Sequence, residues 1–203
     1  MGGTLSIALS VSPGWNLLGN PVNQTITVSE KFGDATRVNT VWKWDNSKGR
    51  WQFYTPAMDA ASLQRYVNDQ GYGVLTEVNP GDGYWINAKT QADFGSICGS
   101  SINLRQSGLP SGWNLVSTAS QISPKDFNLT LSTTPPTSGQ VPINMTSLWA
   151  WDNARSRWYF YAPSLEAQSN TALSDYINSN GYEDFTISGK TLGNGVGIWV
   201  NRP

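Results

Sequence analysis

The chain has no histidine and one cysteine, Cys98, in 203 residues. Without histidine there is no Ser-His-Asp triad, no Cys-His dyad and no imidazole-ligated metal. A single thiol excludes an intrachain disulfide and any thiolate cluster. Charge is also scarce: Asp, Glu, Lys and Arg make up 13% of the residues, against about 25% in an average domain. The net charge of −1 supplies none of the basic field that attracts nucleic acid. No run approaches the roughly 18 apolar residues of a membrane-spanning helix. What is present is aromatic. Phe, Trp and Tyr reach 12%, with ten Trp among them, which excludes a disordered polar chain. The length allows one large domain or two of about 100 residues.

An internal duplication dominates the sequence. Gly14-Trp15-Asn16-Leu17-Leu18 recurs as Gly112-Trp113-Asn114-Leu115-Val116, and Trp42-Lys43-Trp44-Asp45-Asn46 as Trp149-Ala150-Trp151-Asp152-Asn153. Arg50-Trp51-Gln52-Phe53-Tyr54 returns as Arg157-Trp158-Tyr159-Phe160-Tyr161. Gly71-Tyr72 returns as Gly181-Tyr182, and Gly83-Tyr84-Trp85-Ile86-Asn87 as Gly197-Ile198-Trp199-Val200-Asn201. All ten Trp fall into five matched pairs. The offset between copies grows from 95 at Ile7/Ile102 to 114 at Trp85/Trp199, with its largest step in Ser132–Gly139. That stretch has turn chemistry, where insertions are tolerated. Two copies sharing one fold follow, over residues 4–93 and 100–203. The boundary is expected in the small-residue stretch Asp93 to Ser101, which carries Cys98.

The local pattern is mostly β. Leu5 to Val11 alternates apolar and small polar residues, as a half-buried strand does. Thr40 to Asp45 and Arg50 to Thr55 read as a hairpin. Gly49 permits the positive φ that closes its turn, and Ser156 in the second copy predicts a different turn there. Ala57 to Gln70 reads as a helix capped by Asp59 and stopped by Gly71, and Leu165 to Ser179 repeats it. The expected fold is mainly β with one short helix per repeat, built as two tandem homologous β-sandwich or barrel-like modules.

The hairpin carries the strongest candidate site. Pairing Trp44 with Trp51 sets Trp42 opposite Phe53, so all four aromatics share one face. Trp149, Trp151, Trp158 and Phe160 repeat that face. Such rings suit a hydrophobic core, since each buries about 150–250 Å². They also suit a platform on which sugar rings stack, and both uses can hold at once. Tyr84 and Trp85 in the closing strand are the next candidates, because Gly81 and Gly83 leave room beside them. The candidate ligand-binding residues are therefore Trp42, Trp44, Trp51, Tyr84, Trp85, Trp149, Trp151 and Trp158.

Catalysis has thinner support. Two carboxylates are the acid–base apparatus that needs neither histidine nor metal. The one clearly repeated carboxylate, Asp45 with Asp152, lies at a turn, where Asp bonds the turn backbone. Asp82 has Asn194 or a neighbour in the second copy, and no carboxylate matches Glu77. Neither Asp82 near Asn79 nor Asp45 near Asn46 has the spacing of a calcium loop. No catalytic residue, metal site or cofactor is assigned.

Taken together, "GWNLLGNP", "VWKWD", "RWQFY" and "PGDGYWINA" resemble a Trp-rich repeat found near the ends of secreted and surface-anchored bacterial proteins, often behind immunoglobulin-like or fibronectin-like modules. The likeness covers nearly the whole chain, twice. It implies an extracellular β-rich accessory module within a larger secreted protein and carries over no catalytic residue. Ile198 replaces Tyr84 in the second copy, so a ligand contact by the Tyr84 hydroxyl would belong to the first copy alone. The resulting expectation is an extracellular or cell-surface module that binds a polysaccharide or cell-surface glycan, with no nucleic acid partner and no membrane span. A small secreted polysaccharide hydrolase with an Asp/Glu pair, and a purely structural repeat, are the alternatives.

Overall fold

The computed structural model describes residues 4–104 and 109–203. The first half contains β1 (Thr4–Val11), β2 (Gly14–Gly19), β3 (Ile26–Thr27), α1 (Val28–Phe32), β4 (Val38–Asp45), β5 (Arg50–Tyr54), α2 (Ala60–Gln70), β6 (Gly73–Val74), β7 (Glu77–Val78), β8 (Gly83–Ala88) and β9 (Ala92–Ser100). The second contains β10 (Gly112–Val116), α3 (Pro124–Thr130), β11 (Ser147–Asp152), β12 (Arg157–Tyr161), α4 (Pro163–Gln168), α5 (Ala172–Asn180), β13 (Glu183–Asp184), α6 (Phe185–Ser188) and β14 (Ile198–Arg202). The fold is mainly β.

Two five-stranded sheets organise it, in the orders β2-β8-β4-β5-β6 and β10-β14-β11-β12-β13. The matched motifs occupy matching places in the two orders. Both sheets are open, with β2 and β10 at one edge and the short parallel strands β6 and β13 at the other, so neither half is a barrel. The hairpin registers follow the side-chain alternation: Trp42 pairs with Phe53 and Trp44 with Trp51, then Trp149 with Phe160 and Trp151 with Trp158.

Each sheet is covered on both faces. In the first half, Val41, Tyr84, Ile86 and Ala88 pack on Ile7, Leu9 and Val11 of β1 and on Phe32 of α1. The opposite face sets Phe53 against Leu63 and Val67 of α2, with Trp42, Tyr66 and Tyr72 around them. In the second half, Leu148, Ala150, Ile198 and Val200 meet Phe127, Leu131 and Met145, while Phe160 meets Ile177 of α5. Lys43 lies on the first sheet's inner side, buried and paired with Asp82 at 2.5 Å. Ala150 takes the place of Lys43 in the second half, so no such pair recurs.

Several expectations are corrected. The stretch Asp93 to Ser101, where the boundary was expected, is mostly strand: β9 runs through it and pairs antiparallel with β1. Cys98 sits exposed on that strand, its thiol donating to the Ser6 hydroxyl at 3.4 Å. Helices exceed one per half: α1 and α2 in the first, α3 to α6 in the second. The helix expected over Leu165 to Ser179 breaks into α4 and α5 around Ser169, whose hydroxyl accepts the Ala172 N–H and opens a new helix start. Its counterpart α2 is continuous, capped by Asp59 accepting from the Ser62 N–H and stopped by Gly71 at φ 74°. Ser156 adopts φ 52°, close to the 59° of Gly49, so both hairpin turns close alike.

The two halves meet edge to edge through reciprocal contacts. Leu18 bridges Val196, and Asp82 bridges Val116. The Gly19 N–H donates to the Gly195 carbonyl at 2.7 Å, and the Ser117 N–H to the Gly81 carbonyl at 2.8 Å. Each pair is the other's counterpart in the duplication. Gly83 is closed in, where open space was expected: a Cβ there would stand 2.8 Å from the Val116 carbonyl oxygen. A Cβ on Gly197 would stand 2.3 Å from that of Leu18.

Candidate functional site

The repeated Gly-Trp-Asn motif shows how backbone geometry places a ring. Gly14 and Gly112 turn the chain at φ 87° and 86°. The Asn16 amide then donates to the Ser12 and Gly14 carbonyls, and the Asn114 amide to those of Pro110 and Gly112. Asparagine locks the turn while the tryptophan between is pushed outward. Trp15 and Trp113 are accordingly the most exposed of the ten, at 43% and 42%.

The hairpin turns reach across to those same motifs. Asp45 stays within its own turn, accepting from the Ser47 hydroxyl at 2.6 Å and the Lys48 N–H. The Ser47 hydrogen bond holds its carboxyl below the usual carboxylate range. Asn46, its neighbour, donates across the boundary to the Trp113 carbonyl at 2.7 Å, and Trp44 Nε1 donates to the same oxygen at 3.0 Å. The second half answers with Asn153 and Trp151, which donate to the Trp15 carbonyl at 2.6 and 3.0 Å.

This clasp sorts the tryptophans into two groups, each drawn from both halves. Trp113 and Trp199 meet Trp44 and Trp51, with centroids 5.6–6.3 Å apart along the contacts of Trp199. Trp15 and Trp85 meet Trp151 and Trp158, at 5.6–5.9 Å along the contacts of Trp85. Most neighbours stand nearly perpendicular, as the ring quadrupole favours: 77° for Trp51–Trp199, 87° for Trp113–Trp199, 84° for Trp149–Trp158. Faces and edges therefore alternate along the array.

Between the groups lies an open cleft of about 490 Å³, lined by Trp44, Trp51, Trp113, Trp149, Trp158, Tyr182 and Trp199. Every lining side chain is aromatic and none is charged. The size is within the range of small-ligand pockets. Among the described residues, nothing accepts a hydrogen bond from the indole N–H of Trp51, Trp158 or Trp199, and the Trp42 Nε1 is buried and likewise unpartnered. The cleft thus combines apolar ring faces with unpartnered N–H donors.

The structure separates the eight candidate residues. Trp44, Trp51, Trp149 and Trp158 line the cleft. Trp85 and Trp151 belong to the group around Trp15. Trp42 packs on Phe53 at 4.5 Å and on Tyr72 at 5.2 Å, beside the helix. Tyr84 is corrected outright: it is fully buried at 0% exposure, against Phe32 on the opposite face of the sheet, with its hydroxyl unpartnered. Burial alone raises its phenol far above the ordinary range. Ile198, which replaces it, is equally buried, so Tyr84/Ile198 is an exchange between two core residues. Trp113, Trp199 and Tyr182 also line the cleft but were outside the eight candidates; of their repeat partners Trp15, Trp85 and Tyr72, only Trp85 was among them.

No group of three or more His, Cys, Asp or Glu side chains among the described residues is placed to hold a metal ion. No described helix is long and apolar enough to cross a membrane. Compared with family models, curated proteins and solved structures, the chain matches none.

Proposed function

We propose that the protein is a non-catalytic binding module, extracellular or at the cell surface, that holds a carbohydrate or another cell-surface partner in the tryptophan cleft. In this reading the chain is two tandem homologous modules joined edge to edge, the first running to the end of β9, and it serves as an accessory part of a larger secreted protein. The observation that carries it is the cleft's lining: seven aromatic side chains contributed by both halves, open to solvent. Sugar C–H groups pack on the faces of such rings, and hydroxyl groups accept from indole N–H edges. The lining holds no carboxylate, so the hydrolase alternative has no acid–base pair where a chain would lie.

The test is retention of the protein on a panel of insoluble polysaccharides and bacterial cell walls, with a reducing-sugar assay run alongside. Retention that falls for Trp158→Ala or Trp44→Ala, beyond any change in melting temperature, supports the reading. If every substitution lowers stability and none selectively weakens retention, the rings serve only packing and the structural-repeat alternative replaces this one. Release of reducing ends would favour the hydrolase.

A further inference from the structure

We propose that the cleft takes one uncharged glycan chain per molecule, laid across the boundary between the halves, although the aromatic motifs occur twice. This rests on the binding reading above. Trp51 and Trp158 are repeat partners, yet both line the same cleft. A chain lying there uses the duplicated hairpin rings together. Within the lining, Trp199 contacts Trp44, Trp51 and Trp113, and Trp149 contacts Trp158 and Tyr182.

Charge selects the chemistry. No lining residue carries a charge, and the ion pairs lie elsewhere: Lys43 is committed to Asp82, Lys125 to Glu166, and Arg155 and Arg157 to Glu183. An anionic glycan would lose hydration in the cleft and find no cation there. A neutral sugar loses little and gains ring faces, among lining rings of which Trp51, Trp158 and Trp199 have indole N–H groups with no acceptor among the described residues. The near-perpendicular rings offer a face below and an N–H edge beside a sugar, and the cleft spans rings from both halves. Affinity should therefore rise with chain length.

A matched pair of exposed tryptophans supplies the experiment. Trp113 lines the cleft, while Trp15, its repeat partner, lies in the other group. Their exposures are 42% and 43%, and alanine at either leaves the carbonyl that the opposite hairpin grips. Removing either ring should disturb the fold to a similar, small extent. The intact protein, Trp113→Ala and Trp15→Ala are titrated calorimetrically with cello-, xylo- and manno-oligosaccharides from dimer to hexamer, and with oligogalacturonates.

The expected result is one site per molecule, affinity rising with the length of a neutral oligomer, a loss of about tenfold or more for Trp113→Ala, as at a binding hot spot, and no loss for Trp15→Ala. Two chains per molecule, equal losses in both variants, oligogalacturonate binding as tight as neutral binding, or no binding of any neutral oligomer overturns the proposal. If the Trp113→Ala protein still loses retention on cell walls while neutral oligomers do not bind, the wider binding reading survives and only the neutral-chain inference falls. If Trp113→Ala changes neither measurement, the neutral-chain inference falls, and the wider reading falls with it when Trp44→Ala and Trp158→Ala also leave retention unchanged.

Discussion

Trp44 and Trp113 are joined by a 3.0 Å hydrogen bond from an indole N–H to a main-chain carbonyl. Because Trp151 and Trp15 form the same bond in the opposite direction at 3.0 Å, the contact between the halves has approximate two-fold character. Such an interface is isologous: each contact implies its mirror, as between the subunits of a symmetric dimer. The matched motifs therefore lie in matched contacts. The tryptophans are accordingly paired in sequence but mixed in space.

The clasp makes its own prediction. Asn46→Ala removes the 2.7 Å bond to the Trp113 carbonyl, and Asn153→Ala the 2.6 Å bond to that of Trp15. Each should cost about 1 kcal/mol, the net worth of a partly exposed hydrogen bond. The losses should add in the double variant to within about 0.5 kcal/mol, since the two bonds share no partner. Urea denaturation measures all three. Equal stability of wild type and double variant would show that the turns do not hold the halves together.

Glycine tests the same boundary sterically. Gly83→Ala and Gly197→Ala place a methyl group against the main chain of the other half, 2.8 Å from the Val116 oxygen and 2.3 Å from the Leu18 oxygen. Backbone cannot rotate away as a side chain does, so each should cost about 1–3 kcal/mol, as overpacking does. Thermal melts of the two variants are the check. Wild-type stability in both would mean that the halves do not approach so closely.

Much of this was legible in the sequence, and the remainder was hidden for physical reasons. Alternation and turn residues placed Trp42 opposite Phe53 and Trp44 opposite Trp51, because strand pairing is a local consequence of period two. Asp59 and Gly71 marked both ends of α2 for similarly local reasons. Tyr84 misled because "Gly-Tyr-Trp" does not say which face looks outward. The strand alternates, and Trp85 took the aromatic side. Asn46 read as a turn residue, yet its amide bonds a carbonyl 67 positions away, and no spacing rule reports a contact made only when two halves meet. Ser169 split the second helix through one hydroxyl that the periodicity of Leu165 to Ser179 did not weigh.

The second hairpin turn carries a correctable strain. Ser156 holds φ 52° where Gly49 holds 59° in the first, and a left-handed conformation costs a side-chain-bearing residue about 1 kcal/mol more than glycine. Ser156→Gly should gain somewhat less, about 0.5 kcal/mol, because glycine also loosens the unfolded chain. Gly49→Ser should lose a similar amount. Paired denaturation curves decide it, and a gain from Gly49→Ser would contradict the turn geometry.

Tyr84 offers a test in the core and in pH. Its buried hydroxyl has no partner among the described residues, and such a group costs about 1–3 kcal/mol of desolvation. Tyr84→Phe keeps the ring against Phe32 and removes the cost, so it should hold or raise stability by about 1 kcal/mol; a clear loss would reveal an unrecognised partner. Burial also raises the folded phenol's pKa above its unfolded value near 10. The linkage sign follows: stability from this group is complete below about pH 10 and is lost as pH rises beyond it, because only the unfolded chain readily releases the proton. Tyr161 adds in the same direction, its phenol pushed up by burial and by its hydrogen bond to Glu166. Wild type should therefore unfold cooperatively in alkali, with tyrosinate absorbance rising at the unfolding transition. Tyr84→Phe should move that transition to higher pH. Full titration of all eight tyrosines near pH 10 in a still-folded protein would overturn the buried placement of Tyr84.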